Sequence, residues 1–551
     1  MNVTEIDAWV KKLAAEVQPR EKALSEAWWR ANTTGRKEDE DAAAEREEEY
    51  RRLFADGRRY SELKTFQKAL QLDPPVTPES RQLPRQLALF RNEFEMNRMS
   101  METVRELVRR GVDIESHFNN FRSELRGERV SDNRLKEILR ASDDGNLVRE
   151  AWEASKQIGA GVAEKVLDLV RLRNRVARDN GYENFYVMSL SLNELEPGTL
   201  FPLLDHLARI TKEPYGSMKE KLDRSLAQKF HVQPEELRPW HYGDPFFQAA
   251  PITSTFDLDH FYADGDLEAL TVKFFDGIGL DVRDVLARSD LHEREGKCQH
   301  AFCTDIDRAG DVRVLCNLKA NELWMGTMLH EFGHAVYDKY TDMELPHVLR
   351  GPTHIFTTEA IAMLFGRLSQ SVDFLTHIVG KSEESTSTVA QEAQELFCQN
   401  QLIFVRWGLV VVYFEKELYR DPEQDLDALW WKLVAELQHI PQPDSSPGGT
   451  RDPLRRYPDW AAKIHIATTP AYYQNYILGE LLASQLSRHL LDSVLSGASS
   501  LINQPEVGKF LQENVFCPGR TVPWSDLVKR ATGEELNPAY FLAEVTARGQ
   551  R

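Results

Sequence analysis

Apolar residues recur at helical spacing, against strongly charged faces, over most of the first 230 residues of this 551-residue chain. The pattern predicts a helical segment that begins near Ala23 and continues through the charge-dense stretch 37–52. Further helices are predicted around 135–139, 152–160 and 166–178, with Gly181 supplying the stop to the last. We interpret the charge-dense stretch as a solvated helix face with i,i+4 ion pairs rather than as a binding site.

The second half of the chain has a short stretch of extended character between predicted helices. Two short strands are predicted at about 300–305 and 312–316, on either side of a turn. Helices are predicted at 322–339, 353–370, 386–419 and 426–438, and a Pro- and Gly-rich loop at 441–453 leads to a final helical region. No internal repeat or break in composition divides the chain. The pattern therefore predicts one mainly α unit over 1–551, with two lobes around a cleft: about 1–240 and about 241–551.

Composition is that of an ordinary globular protein, with 42% hydrophobic and 28% charged residues. The net charge of −19 argues against nucleic acid or an anionic membrane as the main partner. The N-terminus shows no signal-peptide pattern, and no run of about 18 apolar residues indicates a membrane span. Five cysteines, few and odd in number, favour a reducing compartment. We therefore predict a cytoplasmic protein without nucleic-acid or membrane partners.

The candidate chemistry lies in the predicted helix 322–339, which contains the pattern His330-Glu331-Phe332-Gly333-His334. Histidines four residues apart project from one helix face, so both imidazoles can reach one metal ion. Glu331 lies just off that face, where it can hold a water without ligating the metal. A catalytic Zn²⁺ takes three protein ligands and leaves its fourth position to water, so a third ligand is required.

Glu359, on the next predicted helix, is the preferred third ligand, because two histidines and one glutamate form an established catalytic zinc set. His347 and His354 are nearer alternatives, but they fall in or beside the loop 346–352. The prediction is one Zn²⁺ per chain, held by His330, His334 and Glu359. Glu331 would take the proton of the attacking water and pass it to the leaving amine, which hydrolyses an amide without a covalent intermediate.

With these residues in place, the chain resembles the angiotensin-converting enzyme family of zinc peptidyl-dipeptidases. The resemblance covers most of the chain. It is carried, besides the metal motif, by Cys298-Gln299-His300-Ala301 with Cys316, Thr358-Glu359-Ala360-Ile361, Lys463-Ile464-His465-Ile466 and Tyr473-Gln474-Asn475-Tyr476. The metal motif alone is shared with the thimet oligopeptidase family and with metallocarboxypeptidases of similar architecture. The resemblance implies a large helical ellipsoid with a deep central cleft and a short β-sheet next to the zinc site.

The resemblance also implies roles for residues around the reacting carbonyl. Tyr476 would donate its hydroxyl to the oxyanion, an effective electrostatic device. His465 and His300 would hydrogen-bond substrate carbonyls, and Ala301 would offer its backbone beside the peptide.

A further group would bind the C-terminal carboxylate of the substrate and so fix the cut two residues from that end. Its members by resemblance are Lys463, Tyr473 and Gln248. The alignment of Tyr473 and Tyr476 with the family needs a one-residue shift relative to His465. Tyr472 is therefore an alternative to these tyrosines.

Three departures from the family pattern stand out. The arginines that hold activating chloride are replaced by Leu190, Val434 and Asn475. The aspartate that orients a zinc histidine is Met363, so Asp338 or a backbone carbonyl is expected to take that role. Cys298 and Cys316 match a family disulfide, which a cytoplasmic protein would keep reduced.

The sequence therefore predicts a zinc metallopeptidase that acts on short peptides and releases C-terminal dipeptides. An oligo-endopeptidase or a carboxypeptidase of similar helical fold is the first alternative. An inactive zinc-containing binding scaffold is the second, suggested by Met363 and the missing arginines. The complete set of ligands, base and oxyanion donor argues against that scaffold.

Overall fold

Helices form most of the protein, as the apolar periodicity predicts. The computed structural model describes residues 2–72, 74, 77, 80–253, 257–443 and 458–547. In this part of the chain the only sheets are two antiparallel pairs of short strands. The predicted mainly α class is confirmed.

In the described residues up to 230, regular structure is helical apart from one hairpin. Helix α1 begins at Val3, where Asn2 and Glu5 form a capping box, rather than near Ala23. It ends at Gly35, whose φ of 62° is left-handed, so the charge-dense stretch forms a separate helix. The helices here are α1 (Val3–Thr34), α2 (Lys37–Phe54), α3 (Gly57–Leu72), α4 (Leu83–Met96), α5 (Met101–Asn120), α6 (Asp132–Ala141), α7 (Gly145–Asp179), α8 (Phe185–Leu192), α9 (Pro197–Ile210) and α10 (Lys212–Phe230).

The predicted segments 152–160 and 166–178 belong to the single long helix α7. Asp144 caps its start, and it ends at Asn180 before Gly181, as predicted. Gly159 lies inside the helix because another chain segment approaches there. A Cβ at this position would lie 2.6 Å from the carbonyl oxygen of Pro458. Glycine thus serves packing in α7 and does not interrupt it.

The second part carries the predicted metal helix with the predicted bounds, α14. Asn321 accepts a hydrogen bond from the backbone N–H of Trp324 and so caps its start. The helices here are α11 (Asp259–Tyr262), α12 (Leu267–Gly277), α13 (Arg283–Arg288), α14 (Glu322–Lys339), α15 (Ile355–Gly366), α16 (Val372–His377), α17 (Glu383–Ser387), α18 (Ala390–Arg420), α19 (Leu426–Gln438), α20 (Ile464–Thr468), α21 (Tyr473–His489), α22 (Pro505–Leu511), α23 (Trp524–Thr532) and α24 (Ala539–Thr546). Most of the predicted loop 441–453 lies outside the described residues.

Two hairpins make up the β structure of the described residues. Strands β1 (Ser123–Leu125) and β2 (Glu128–Val130) form a hairpin that the sequence did not predict. Strands β3 (Phe302–Asp305) and β4 (Val312–Leu315) pair in antiparallel register at the predicted place. The second hairpin packs against α14, which puts the short sheet beside the metal motif.

Buried apolar residues form a large core around α14, α15, α18 and α21. A separate cluster joins helices α1, α3 and α4 to the segment that contains Leu345 and Leu349. Among the described helices, α18 is long and apolar enough to cross a membrane by length and composition alone. Its most apolar window is 61% buried inside the protein, as in a core helix. The division into two lobes and the absence of a membrane partner stay predictions.

Candidate metal centre and peptide-binding site

Helices α14 and α15 lie in direct backbone contact, and glycine makes this contact possible. A Cβ on Gly333 would lie 2.7 Å from the Cα of Ala362, and one on Gly326 would lie 3.4 Å from the carbonyl oxygen of Gly366. The two helices therefore run antiparallel across this contact. The close approach brings Glu359, on α15, to the face of α14 that carries the two histidines.

The structure brings the three predicted metal ligands together. The Oε2 atom of Glu359 lies 3.7 Å from Nε2 of His330 and 3.8 Å from Nε2 of His334. Their ligand atoms all lie within 4.8 Å of one another. The alternative ligands have other partners: Nε2 of His347 lies 2.8 Å from Glu21, and Nε2 of His354 lies 2.7 Å from the carbonyl oxygen of Asn193.

The chemistry of this donor set fits a zinc ion. Burial lowers the pKa of His330 to about 4 and that of His334 well below its usual value, so both imidazoles are neutral at pH 7, the form that ligates metal. Burial raises the pKa of Glu359 to about 7. Its Oε2 atom is buried and has no hydrogen-bond partner among the described residues. A divalent cation between these atoms would supply the positively charged partner that this buried carboxylate oxygen lacks.

Thr358 takes the orienting role that the missing aspartate at Met363 leaves vacant for His334. The Nδ1 atom of His334 lies 2.7 Å from Oγ1 of Thr358, which can accept the Nδ1 proton in the tautomer that frees Nε2 for a metal. The expectation that Asp338 orients a zinc histidine is wrong for His334. The carboxyl of Asp338 lies instead near that of Asp305, and burial together with this second carboxyl raises its pKa.

Tyr472 contacts the metal site in a way that the sequence did not predict. Its hydroxyl donates a hydrogen bond to Oε1 of Glu359 over 2.8 Å. The sequence named Tyr472 only as a substitute for the other tyrosines of this segment. Its hydroxyl is instead hydrogen-bonded to a predicted metal ligand, which leaves Tyr473 and Tyr476 as the tyrosines available to a substrate.

Glu331 is buried beside the triad, with 8% of its surface exposed. Burial and the nearby Glu359 raise the pKa of Glu331 to about 8, and the backbone N–H of Cys303 donates to its carboxylate. A carboxylate whose pKa lies near the working pH is well suited to accept the proton of a water and to release it again.

Tyr476 lies on α21, one turn from Tyr472, with its ring centroid 5.1 Å from that of Tyr472 and 5.5 Å from that of Tyr473. Burial and the neighbouring Glu359 raise its pKa, so the phenol is protonated and can donate. No hydrogen bond from the described residues reaches its hydroxyl. The arrangement provides a free O–H close to the candidate metal position.

Lys463, Gln248 and Tyr473 lie together, as the resemblance implies. The ammonium of Lys463 donates to Oε1 of Gln248 over 2.5 Å and lies 5.7 Å from the ring centroid of Tyr473. Burial lowers the pKa of Lys463 to about 8. The backbone N–H and the side-chain amide of Gln248 both donate to Asp244. Trp407 donates to the hydroxyl of Tyr473, whose own proton stays available. The group can present several donors to one carboxylate.

His465 and His300 flank this group. The ring of His465 lies 5.4 Å from that of Tyr473, and burial followed by the charges of Lys463 and His300 lowers its pKa to about 3. His300 is exposed, and Ala301 is half-buried directly before β3. Within the described residues β3 pairs with no strand other than β4, and the N–H of Cys303 in β3 donates to Glu331.

The positions that depart from the family pattern are ordinary interior positions. Leu190, Val434 and Asn475 are all buried. Cys298 and Cys316 are free thiols and form no bond with each other.

Comparison with known proteins agrees with the geometry. Residues 1–232 match the family model described as angiotensin-converting enzyme, and residues 282–547 match that of peptidase family M3. Carboxypeptidase 1 of Bacillus subtilis (strain 168) is 26% identical to the chain over an alignment of 276 residues, and the match covers 44% of this chain and 51% of the relative. The chain thus matches about half the length of that relative. Together with the His330–His334–Glu359 cluster, these matches indicate a metallopeptidase that is similar to angiotensin-converting enzyme over its first part and to peptidase family M3 over its second.

Proposed function

We propose that this protein is a zinc-dependent peptidyl-dipeptidase that removes C-terminal dipeptides from short peptides. The observation that carries the proposal is the group formed by Lys463, Gln248 and Tyr473. The ammonium of Lys463 donates to Gln248 and lies beside the ring of Tyr473, which in turn neighbours Tyr476. A half-buried cation with unused N–H groups is a good receptor for a carboxylate.

Tyr473 neighbours both the proposed oxyanion donor and the proposed carboxylate-binding cation. Its ring lies 5.5 Å from that of Tyr476 and 5.7 Å from the ammonium of Lys463. The choice of a two-residue product rests on the resemblance of Lys463, Gln248 and Tyr473 to the carboxylate-binding group of the peptidyl-dipeptidase family.

Each catalytic role falls to a residue of the chain. Zinc, when bound by His330, His334 and Glu359, acidifies water and polarises the substrate carbonyl. Glu331 accepts the proton of the attacking water and transfers it to the leaving amine. Tyr476 donates its O–H to the developing oxyanion.

Three residues would hold the peptide backbone on either side of the cut. His465 and His300 donate to substrate carbonyls, and the backbone at Ala301, directly before β3, pairs with the extended substrate. Because an extended chain pairs in this way, the proposal favours short unstructured peptides over folded proteins. We also propose a cytoplasmic location, which the free thiols support.

A carboxypeptidase that releases single residues is the second candidate, and the similarity to Carboxypeptidase 1 favours it. Mass spectrometry of the first products from unmodified peptides of eight to ten residues separates the two. Dipeptide release supports the proposal, and single-residue release establishes the carboxypeptidase. Internal fragments would indicate an oligo-endopeptidase, and an absence of cleavage at full zinc loading would indicate a binding scaffold.

A further inference from the structure

We propose that Tyr472 is a positioning residue. Its hydroxyl hydrogen-bonds to one oxygen of Glu359, so that Glu359 ligates the metal through its other oxygen alone. The inference rests on the metal-ligand set assigned above. It does not depend on which peptide bond is cut.

The two carboxylate oxygens of Glu359 have different surroundings. Oε1 accepts the hydrogen bond of the Tyr472 hydroxyl over 2.8 Å. Oε2 faces the Nε2 atoms of His330 and His334 at 3.7 and 3.8 Å. Oε2 is also buried without a hydrogen-bond partner in the described part of the chain. One oxygen is thus occupied, and the other is directed at the candidate metal position.

The structure fixes Tyr472 in place from both sides. Directly before it, Ala471 adopts a left-handed φ of 55° and donates its N–H to Oε1 of Glu415 over 3.0 Å. Two turns later on the helix that follows, a Cβ on Gly479 would lie 3.0 Å from the Cβ of Glu359. Because α21 touches α15 this closely, the phenol of Tyr472 is held at the height of the carboxylate.

Single-oxygen ligation has a direct consequence for the site. Two imidazoles and one carboxylate oxygen are three ligands, which leave the fourth tetrahedral position of zinc for water. A second carboxylate oxygen would compete for that position. Groups that hydrogen-bond to metal ligands also tune metal affinity, with losses of about 10- to 100-fold when they are removed.

The test compares Tyr472→Phe with Tyr476→Phe, which removes the same hydroxyl from the next turn of the same segment. We expect Tyr472→Phe to weaken zinc binding about 10- to 100-fold in competition with a chelator of known affinity. Tyr476→Phe should leave zinc affinity unchanged, because its hydroxyl does not contact Glu359. Circular dichroism checks that both variants are folded.

X-ray absorption of the zinc-loaded proteins gives a second readout, on the wild type and on Tyr472→Phe. The wild-type protein should show a single carboxylate oxygen among the zinc ligands, and Tyr472→Phe should show added oxygen ligation. Unchanged zinc affinity in folded Tyr472→Phe, or two carboxylate oxygens on zinc in the wild type, would overturn the proposal. Neither readout uses peptide hydrolysis, so a failure of the proposed cleavage specificity is distinguishable from a failure here.

Discussion

Replacing Lys463 by methionine should remove the ability of the enzyme to distinguish a free C-terminal carboxylate from an amide. Lys463 is half-buried, and its ammonium lies among the rings of Phe246, Trp407 and Tyr473, at 5.4–5.7 Å from their centroids. Its single hydrogen bond in the described part of the chain is to Gln248. Two of its three N–H groups therefore remain for a substrate carboxylate.

The size of the effect follows from the charge and the partial burial of the Lys463 ammonium. A hydrogen bond to a charged group contributes about 1.5–3 kcal/mol, and loss of one partner of a buried charge pair costs about 2–5 kcal/mol. We take about 2–4 kcal/mol for the carboxylate, or about 30- to 1000-fold in kcat/KM. C-terminal amidation should impose this penalty on the wild-type enzyme. In Lys463→Met the penalty should shrink to about threefold or less, because the cation it depends on is gone.

The assay measures kcat/KM for one peptide as free acid and as amide, with each of three enzymes. Lys432→Met is the matched control, since it makes the same substitution on an exposed lysine, with 68% of its side chain accessible. This variant should retain the full discrimination of the wild type. If Lys463→Met still penalises amidation as strongly as the wild type, Lys463 does not bind the substrate carboxylate and the reasoning is refuted.

Three further outcomes follow from the site. Glu331→Gln should bind zinc as the wild type does but lose about 10²- to 10⁴-fold in kcat, because the proton acceptor is gone; zinc content and turnover are measured together, and undiminished turnover would contradict the role. For free-acid peptides kcat/KM should fall above about pH 8, since burial lowers the pKa of Lys463 to about 8 and its ammonium is lost as pH rises through that value. For the amidated peptide kcat/KM should show no such fall. If kcat/KM falls for both peptides, a group other than Lys463 causes the fall. Gly333→Ala should destabilise the fold by about 1–3 kcal/mol in denaturant unfolding, because the new Cβ would lie 2.7 Å from the backbone of Ala362; an unchanged midpoint would show that α14 and α15 can separate.

The metal helix and its neighbouring hairpin were predictable from local signals. Asn321 supplies a cap, the apolar spacing marks the helix, and the turn between β3 and β4 marks the hairpin. The break between α1 and α2 was missed, although Gly35 is a recognisable signal for a helix end. The hairpin of β1 and β2 was missed because its strands have three residues each, too few to show alternation.

The ligands of the site were predictable from spacing, but the groups that orient them were not. Thr358 and Tyr472 reach His334 and Glu359 across helix contacts that no local pattern encodes. One usable signal was present: Gly333 lies inside the motif and on the contact face of α14, where glycine indicates close approach of another backbone. The candidate metal ligands could therefore be predicted from the sequence, whereas the residues that contact them depend on tertiary packing and could not.

Metal reconstitution tests the central claim most directly. The protein is stripped with a chelator, Zn²⁺ is returned in fractions of an equivalent, and release of C-terminal dipeptide from one unmodified peptide is followed by mass spectrometry. The account predicts no release from the stripped protein and a linear rise that saturates at one zinc per chain. It also predicts that Glu359→Gln, which lacks a ligand charge, needs a large excess of zinc to reach any activity. Dipeptide release that is unaffected by removal of zinc would contradict the account.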